Sequence, residues 1–135
     1  MGNRIERPGT GSTAEAVIQA EKDWPGWQVW ADASRLGATW YARRHDQRSG
    51  TLAAASVGGL RDRVARWVLE TPSAVLPEEE LRALRHFWGD RYGMDWVDGV
   101  FGALGRHEGA QLLQSRTAAG LVPLMEEDGR AQEGV

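Results

Sequence analysis

Residues 23–44 read DWPGWQVWADASRLGATWYARR and carry four of the seven tryptophans of this chain. Pro25-Gly26 is typical of a turn, and the residues that follow are rich in aromatic and β-branched side chains. This pattern predicts a β-hairpin with strands at Trp27–Ala31 and Thr39–Arg44. The turn between the strands is predicted to be long and polar, with four small or polar residues, Asp32, Ala33, Ser34 and Gly37.

Helices are predicted on both sides of this hairpin. Ser12 and Glu15 make a capping box for a helix that ends by Asp23, because Pro25 disfavours helical geometry at the residue before it. Thr51–Ala55 follows the hairpin as a short third strand, and Ser56 caps a helix that runs to Glu70. The first unit is therefore predicted as α-β-β-(β)-α.

The second half of the chain shows the same order of signals. Pro77 and the three glutamates after it indicate a helix start, with acidic side chains at the positive end of the helix dipole. Asp98-Gly99 lies between Met94–Val97 and Val100–Leu104, and this spacing predicts a two-residue type I′ hairpin.

The end of the second half is predicted with one break in the pattern. Ala110–Ser115 is a candidate third strand, and Thr117 is positioned to cap a last helix. Pro123 would fall inside that helix and remove a hydrogen bond, so the helix is expected to be short, kinked or begun late.

A numerical offset relates the two halves. From Trp40 onward an offset of 61 residues pairs Trp40 with Phe101, and upstream an offset of 67 pairs Trp27 with Met94. The six-residue difference falls inside the hairpins, where insertions are tolerated. We therefore predict an α+β fold of two tandem α-β-β-(β)-α units with antiparallel sheets, packed as one globular body.

This order also sets the predicted domain boundaries. They are a disordered N-terminus at 1–11, a first unit at 12–70, a linker at 71–77, a degenerate second unit at 78–128 and a frayed tail at 129–135.

Because strand side chains alternate, the pairing also assigns faces to the strands. The inner face of the first unit is predicted to hold Trp27, Val29, Trp40 and Ala42. The outer face then carries Gln28, Trp30, Tyr41 and Arg43, and its counterpart in the second unit carries Asp95, Val97, Val100 and Leu104. Outer faces this apolar indicate that intramolecular packing, a second copy or a ligand covers them.

Four stretches of the chain resemble known sequences: WPGWQVW, TWYARR, LAAASVGGLRDRV and LRALRHFWGDRYG. They are similar to small uncharacterised actinobacterial proteins with a P-G-W-x-V-W strand and a W-x-A-R-R strand, and together they cover about half of the chain. The second unit departs from the W-x-A-R-R pattern. The resemblance implies a source and an architecture, and it implies no activity.

Composition narrows the classes of function. The chain has 135 residues, a net charge of −3 and no cysteine, which excludes disulfides, thiolate metal sites and cysteine nucleophiles. The apolar runs are shorter than a membrane helix needs, and the N-terminus does not resemble a signal peptide, so we expect no membrane association and a cytoplasmic location.

No catalytic or metal-binding motif is found. His45, His86 and His107 lack metal-ligand spacing, and neither a nucleophile elbow nor a phosphate loop is present. Glu78–Glu80 is explained as a helix start. We therefore predict no catalytic residues, no metal site and no cofactor.

The best candidates for a binding surface are Trp30, Tyr41, Arg43, Arg44 and Arg48, because arginines beside aromatic rings can grip phosphates and stack on bases. The other interpretation is that strand arginines cover a sheet edge and lie over aromatic rings.

Three hypotheses follow. The first is a non-enzymatic protein-interaction or adaptor protein, or a self-associating one, that uses an aromatic sheet face. The second is a nucleic-acid-binding regulator that uses the arginines, which the acidic net charge disfavours. The third is an enzyme or small-molecule binder with a pocket between the units.

Overall fold

A computed structural model describes residues 10–34 and 37–133. Within these ranges four α-helices and two three-stranded antiparallel sheets follow one another along the chain, which confirms the predicted α+β class. The chain divides into two compact units, Met1–Val64 and Ala65–Val135. Most of the N-terminal segment predicted to be disordered, residues 1–9, lies outside the described residues.

The first half contains five elements, and its sheet has the order β1-β2-β3. They are α1 (Thr10–Asp23), β1 (Trp27–Ser34), β2 (Gly37–Arg44), β3 (Leu52–Ala54) and α2 (Val57–Glu70).

The second half repeats this order, and its sheet has the order β4-β5-β6. The elements are α3 (Pro77–Trp88), β4 (Tyr92–Val97), β5 (Val100–Gly105), β6 (Leu112–Ser115) and α4 (Ala118–Glu133). The division between the compact units falls inside α2, whereas the predicted linker at 71–77 contains a short 3-10 helix, Pro72–Ala74.

The first hairpin is longer than predicted. β1 and β2 stay paired up to Ser34 opposite Gly37, so the residues assigned to a polar turn belong to the strands. The backbone ladder does not depend on side-chain polarity, and the polar residues mark the part of the hairpin that is exposed. The second hairpin turns as predicted, with positive φ at Asp98 (53°) and Gly99 (80°).

Strand register corrects the predicted offset between the halves. Trp40 pairs with Ala31, and Phe101 pairs with Trp96, so the upstream strands are offset by 65 residues and not by 67. Trp27 therefore corresponds to Tyr92. A shift of two residues keeps every side chain on its face, so the apolar pattern alone does not distinguish the two offsets.

Both sheets bury the predicted face. Trp27, Val29, Trp40 and Ala42 are buried in the first unit. In the second unit the inner strand residues form one core cluster with helix residues of α3 and α4: Leu81, Leu84, Tyr92, Met94, Phe101, Ala103, Ala118, Leu121 and Met125.

The helix ends differ from the predictions in two places. α1 begins at Thr10, so Ser12 lies within the helix and is not its cap. α2 and α4 do have the predicted caps, since Ser56 Oγ accepts from Gly59 N (3.0 Å) and Thr117 Oγ1 accepts from Gly120 N (2.9 Å). The C-terminal end is the second difference, because α4 runs from Ala118 to Glu133 through the predicted frayed region.

Pro123 does not shorten α4. Proline removes one backbone donor from the helix, while Leu121 and Met125 on either side of it are completely buried. Burial of these side chains offsets the lost hydrogen bond, because each contributes roughly 1.5–3 kcal/mol. No helix in the described part of the chain is long and apolar enough to cross a membrane.

Candidate binding surface

The outer face of the first sheet carries an aromatic pair. Trp30 on β1 lies directly opposite Tyr41 on β2, and their rings stack with centroids 5.4 Å apart and planes 17° from parallel. Both side chains are half-buried, and Arg43 lies exposed farther along β2. Stacked rings hold each other in place, so this pair offers a rigid apolar surface beside a cationic group.

Arg44 does not belong to this surface. It follows Ala42 on the inner face of β2, and it is the one buried charged residue among those described, with 9% exposure. Its guanidinium binds the Asp46 carboxylate through Nε and Nη2 (3.1 and 3.0 Å) and lies 5.8 Å from the centroid of the Trp27 ring. The predicted binding residue is therefore a structural one, because the inner face and Asp46 enclose its charge.

The loop after β2 is organised by Asp46. Its carboxylate accepts hydrogen bonds from the Arg44 side chain and from the backbone N–H of Arg48 (3.0 Å). These bonds, that of Arg44 first, hold the pKa of Asp46 below its ordinary value, because they stabilise the ionised form. The Arg48 side chain is exposed, so Arg43 and Arg48 are the two predicted arginines that face solvent.

The outer face of the second sheet is aliphatic and open. Val97, Leu104 and Leu112, one from each strand, are 58%, 48% and 57% exposed. Two glycines, Gly93 and Gly102, lie on the same face and leave a shallow groove. The sequence predicted Val97, Val100 and Leu104 there but missed Leu112, whose alternation with Leu113 and Gln114 on a three-stranded sheet was the available signal.

Helix side chains bind the backbone of three of the four edge strands. Glu21 Oε2 accepts from Val29 N on β1 (2.9 Å). Arg85 Nη2 donates to Met94 O on β4 (2.6 Å), and Arg63 Nη1 donates to Ala53 O on β3 (2.8 Å). Each bond occupies one backbone group through which another strand could pair at that edge.

A buried tyrosine joins β4 to α4 in the second unit. Tyr92 OH donates to Asp128 Oδ2 (2.6 Å), and the carbonyl oxygen of Met125 lies 3.2 Å from the same hydroxyl. Burial, followed by the hydrogen bond and the charge of Asp128, raises the pKa of Tyr92 to about 12. This hydroxyl is held in its protonated, donating form.

The three histidines have different surroundings. His86 contacts the Phe87 ring edge-on, His45 is exposed after β2, and His107 lies over Gly105 in the second unit. Across residues 10–34 and 37–133, no group of three or more His, Cys, Asp or Glu side chains is arranged to hold a metal ion.

Comparison of the chain with protein-family models, with curated proteins and with solved structures finds no match.

Proposed function

We propose that the protein is a non-enzymatic protein-interaction or adaptor protein whose partner binds the outer faces of its sheets. The observation that carries this proposal is that all three strands of the second sheet expose an aliphatic side chain on the same face, Val97, Leu104 and Leu112, and that these side chains line one groove. Exposed apolar area is costly in water, and several exposed aliphatic side chains around one groove are typical of an interaction surface.

The aromatic pair on the first sheet supports the same role. Tryptophan and tyrosine are enriched at protein interfaces because they present a large contact area with little conformational entropy to lose. Trp30 and Tyr41 are already fixed against each other. Arg43 beside them adds a charged group of the kind found where a partner supplies a carboxylate.

The nucleic-acid hypothesis draws less support from the geometry. Of its three arginines, Arg44 is buried and binds Asp46, so Arg43 and Arg48 remain as phosphate contacts. Binding of this kind depends steeply on salt, because each phosphate contact releases counterions. A salt titration with DNA and RNA, repeated with Arg43→Glu and Arg48→Glu together, separates the two functions.

Affinity capture from the host lysate tests the proposal with three baits. They are the wild-type chain, a face variant with Val97→Thr, Leu104→Thr and Leu112→Thr, and a control variant with Leu76→Thr. Leu76 is 64% exposed and precedes α3, outside the sheets, so its substitution removes the same kind of surface elsewhere in the second unit.

We expect a discrete protein partner that the wild type and the control recover and that the face variant loses. Equal recovery by all three baits would overturn the assignment of the partner to this face. Recovery of nucleic acid in place of a protein would overturn the function.

We also propose that the two halves arose by internal duplication. Support comes from the shared order of elements and from the strand pairing. The pair Ala31–Trp40 in the first sheet corresponds to the pair Trp96–Phe101 in the second. Helix contacts add to it, since Glu21 and Arg85 reach the backbone of corresponding residues, Val29 and Met94.

A further inference from the structure

Two arginines lie opposite each other where the second sheet begins. The backbone N–H of Arg106 donates to the carbonyl of Arg91 (3.0 Å), one step beyond the pairing of Tyr92 with Gly105. Neither arginine forms an ion pair with a carboxylate among the described residues. Like charges directly opposite each other on paired strands are destabilising, so this arrangement has a cost that a bound anion would remove.

These arginines line a cleft of about 380 Å³ in the second unit. Its other lining residues are Tyr92, His107, Gly129 and Gln132. Two of the lining residues, Tyr92 and Gln132, donate to the Asp128 carboxylate, the latter from Nε2 (2.7 Å). Neither guanidinium forms an ion pair with this carboxylate, and Tyr92 and Gln132 already donate to its Oδ2 atom.

The cationic groups of the cleft are held in place by their surroundings. Arg91 lies over the Trp88 ring, with Cζ 4.7 Å from its centroid. Arg106 Nε donates to Gly89 O (3.0 Å), which leaves the terminal N–H groups of its fork for another acceptor. His107 rests on Gly105, where a Cβ atom would lie 2.7 Å from its Cε1 atom.

The first unit has different residues at the corresponding position. His45 N donates to Gly26 O (2.9 Å) at the place that Arg106 and Arg91 occupy in the second unit. Arg44 and Asp46 stand where the second unit has Gly105 and His107, and they form an ion pair. The first unit thus pairs its arginine with a carboxylate at this position, while the second unit has two arginines there that form no ion pair among the described residues.

We propose that this cleft of the second unit binds a small oxyanion through Arg91, Arg106 and His107, with a phosphate group as the favoured chemistry. The fork of N–H donors on each arginine matches the oxygens of phosphate, and an imidazole N–H adds a third donor. The site goes beyond the proposed interaction function, and its test does not depend on that function.

Titration of the full chain with inorganic phosphate tests the proposal, at an ionic strength held constant with chloride. Calorimetry gives the affinity, and NMR of the arginine Nε–H signals locates the bound anion. We expect saturable binding with shifts at Arg91 and Arg106, and affinity lower by about tenfold or more in the Arg91→Gln, Arg106→Gln double variant, since it removes the charged hydrogen bonds of both side chains.

Two further variants make the test specific. Gly105→Ala keeps both arginines but displaces His107, a flexible side chain that can move, so we expect it to weaken binding while the chain stays folded. Arg116→Gln removes an exposed arginine that does not line this cleft, and we expect it to leave the affinity unchanged.

Binding that does not saturate, or binding that is equal in the wild type and the double variant, would overturn the proposal. An equal response to acetate would overturn the assignment to phosphate. If the double variant fails to fold, the single variants Arg91→Gln and Gly105→Ala are measured separately. Unchanged affinity in both would overturn the proposal.

Discussion

The two units have the same order of elements and corresponding pairs in their hairpins. They differ in the charged side chains at one corner of the sheet. The first unit buries Arg44, with Asp46 bound to its guanidinium. The second unit has Gly105 there, and Arg91 and Arg106 face a cleft. The difference shows that the inner face of the strands sets the fold, while residues at the strand ends are free to differ between the units.

The outer faces of the two sheets also carry different side chains. A stacked aromatic pair, Trp30 and Tyr41, occupies the first, and exposed aliphatic side chains occupy the second. Neither set is needed for the buried core. We infer that the scaffold is shared and that the two faces differ in what they contact.

The largest expected change in the free energy of unfolding comes from substitutions in the two cores, and it tests whether corresponding core positions are equivalent. Leu60 in α2 and Leu121 in α4 occupy corresponding positions and are almost completely buried, at 1% and 0% exposure. Substitution of either by alanine removes buried methyl groups and leaves a cavity, so we expect each to lower the free energy of unfolding by about 2–5 kcal/mol. Urea denaturation measures both, and a cost below about 1 kcal/mol at one site would show that the positions are not equivalent.

A smaller effect is expected from the Tyr92 hydroxyl, which has no counterpart in the first unit, where Trp27 stands in its place. Tyr92→Phe removes the bond to Asp128, and we expect a loss of about 1–3 kcal/mol near neutral pH. Tyr41→Phe is the matched control, because that side chain lies on the outer face, and we expect a change within about 0.5 kcal/mol.

The same variant gives a pH-dependent prediction. The native pKa of Tyr92 is raised to about 12 from an ordinary value of 10.0, so its protonated form is stabilised by folding. That stabilisation is complete below pH 10 and is lost as the pH rises toward 12. The difference in unfolding free energy between wild type and Tyr92→Phe should therefore shrink over this interval, and a constant difference would contradict the assignment.

The features of the fold that could be predicted from the sequence are those with a local signal. Alternation identified the buried faces, and Asp98-Gly99 identified a turn, because both are local signals. The offset of the first strand was wrong by two residues, since that shift preserves every face. Arg44 was assigned to the surface because of its charge, although its spacing from Ala42 and the nearby Asp46 were visible in the sequence.

The cleft was not predicted because it depends on tertiary structure. Arg91 and Arg106 are brought together by the pairing of β4 with β5, and Tyr92 reaches Asp128 on α4. The Asp98-Gly99 turn fixes a register in which Arg91 lies opposite Arg106, but the strands were predicted only over Met94–Val97 and Val100–Leu104, which end short of both arginines. The length of α4 was missed for a related reason, since burial of Leu121 and Met125 outweighs the local effect of Pro123.

The Arg44–Asp46 pair gives a further way to sharpen the comparison. Asp46→Asn leaves the buried guanidinium without its carboxylate, and we expect a lower free energy of unfolding at neutral pH. The native pKa of Asp46 is lowered, so the stabilisation is present above its ordinary pKa of 3.8 and is lost as the pH falls through the native value. Denaturation of wild type and Asp46→Asn at neutral and acid pH should give curves that converge in acid, and curves that stay apart would contradict this account.

The smallest effect on stability is expected on the outer face of the second sheet. Val97, Leu104 and Leu112 are exposed, so Thr at these positions should change the free energy of unfolding by about 0.5 kcal/mol or less at each site. Denaturation of the triple variant checks this. A large loss of stability would mean that these side chains serve the fold and not a partner.

The most direct test of the interaction function is the affinity of the captured partner for the face variant relative to the Leu76→Thr control. The account predicts a dissociation constant at least tenfold higher for the face variant, since loss of interface anchors costs about 1.4 kcal/mol or more. It predicts wild-type affinity for the control. Equal affinity of the face variant and the control would contradict the claim that the outer sheet face is the binding surface.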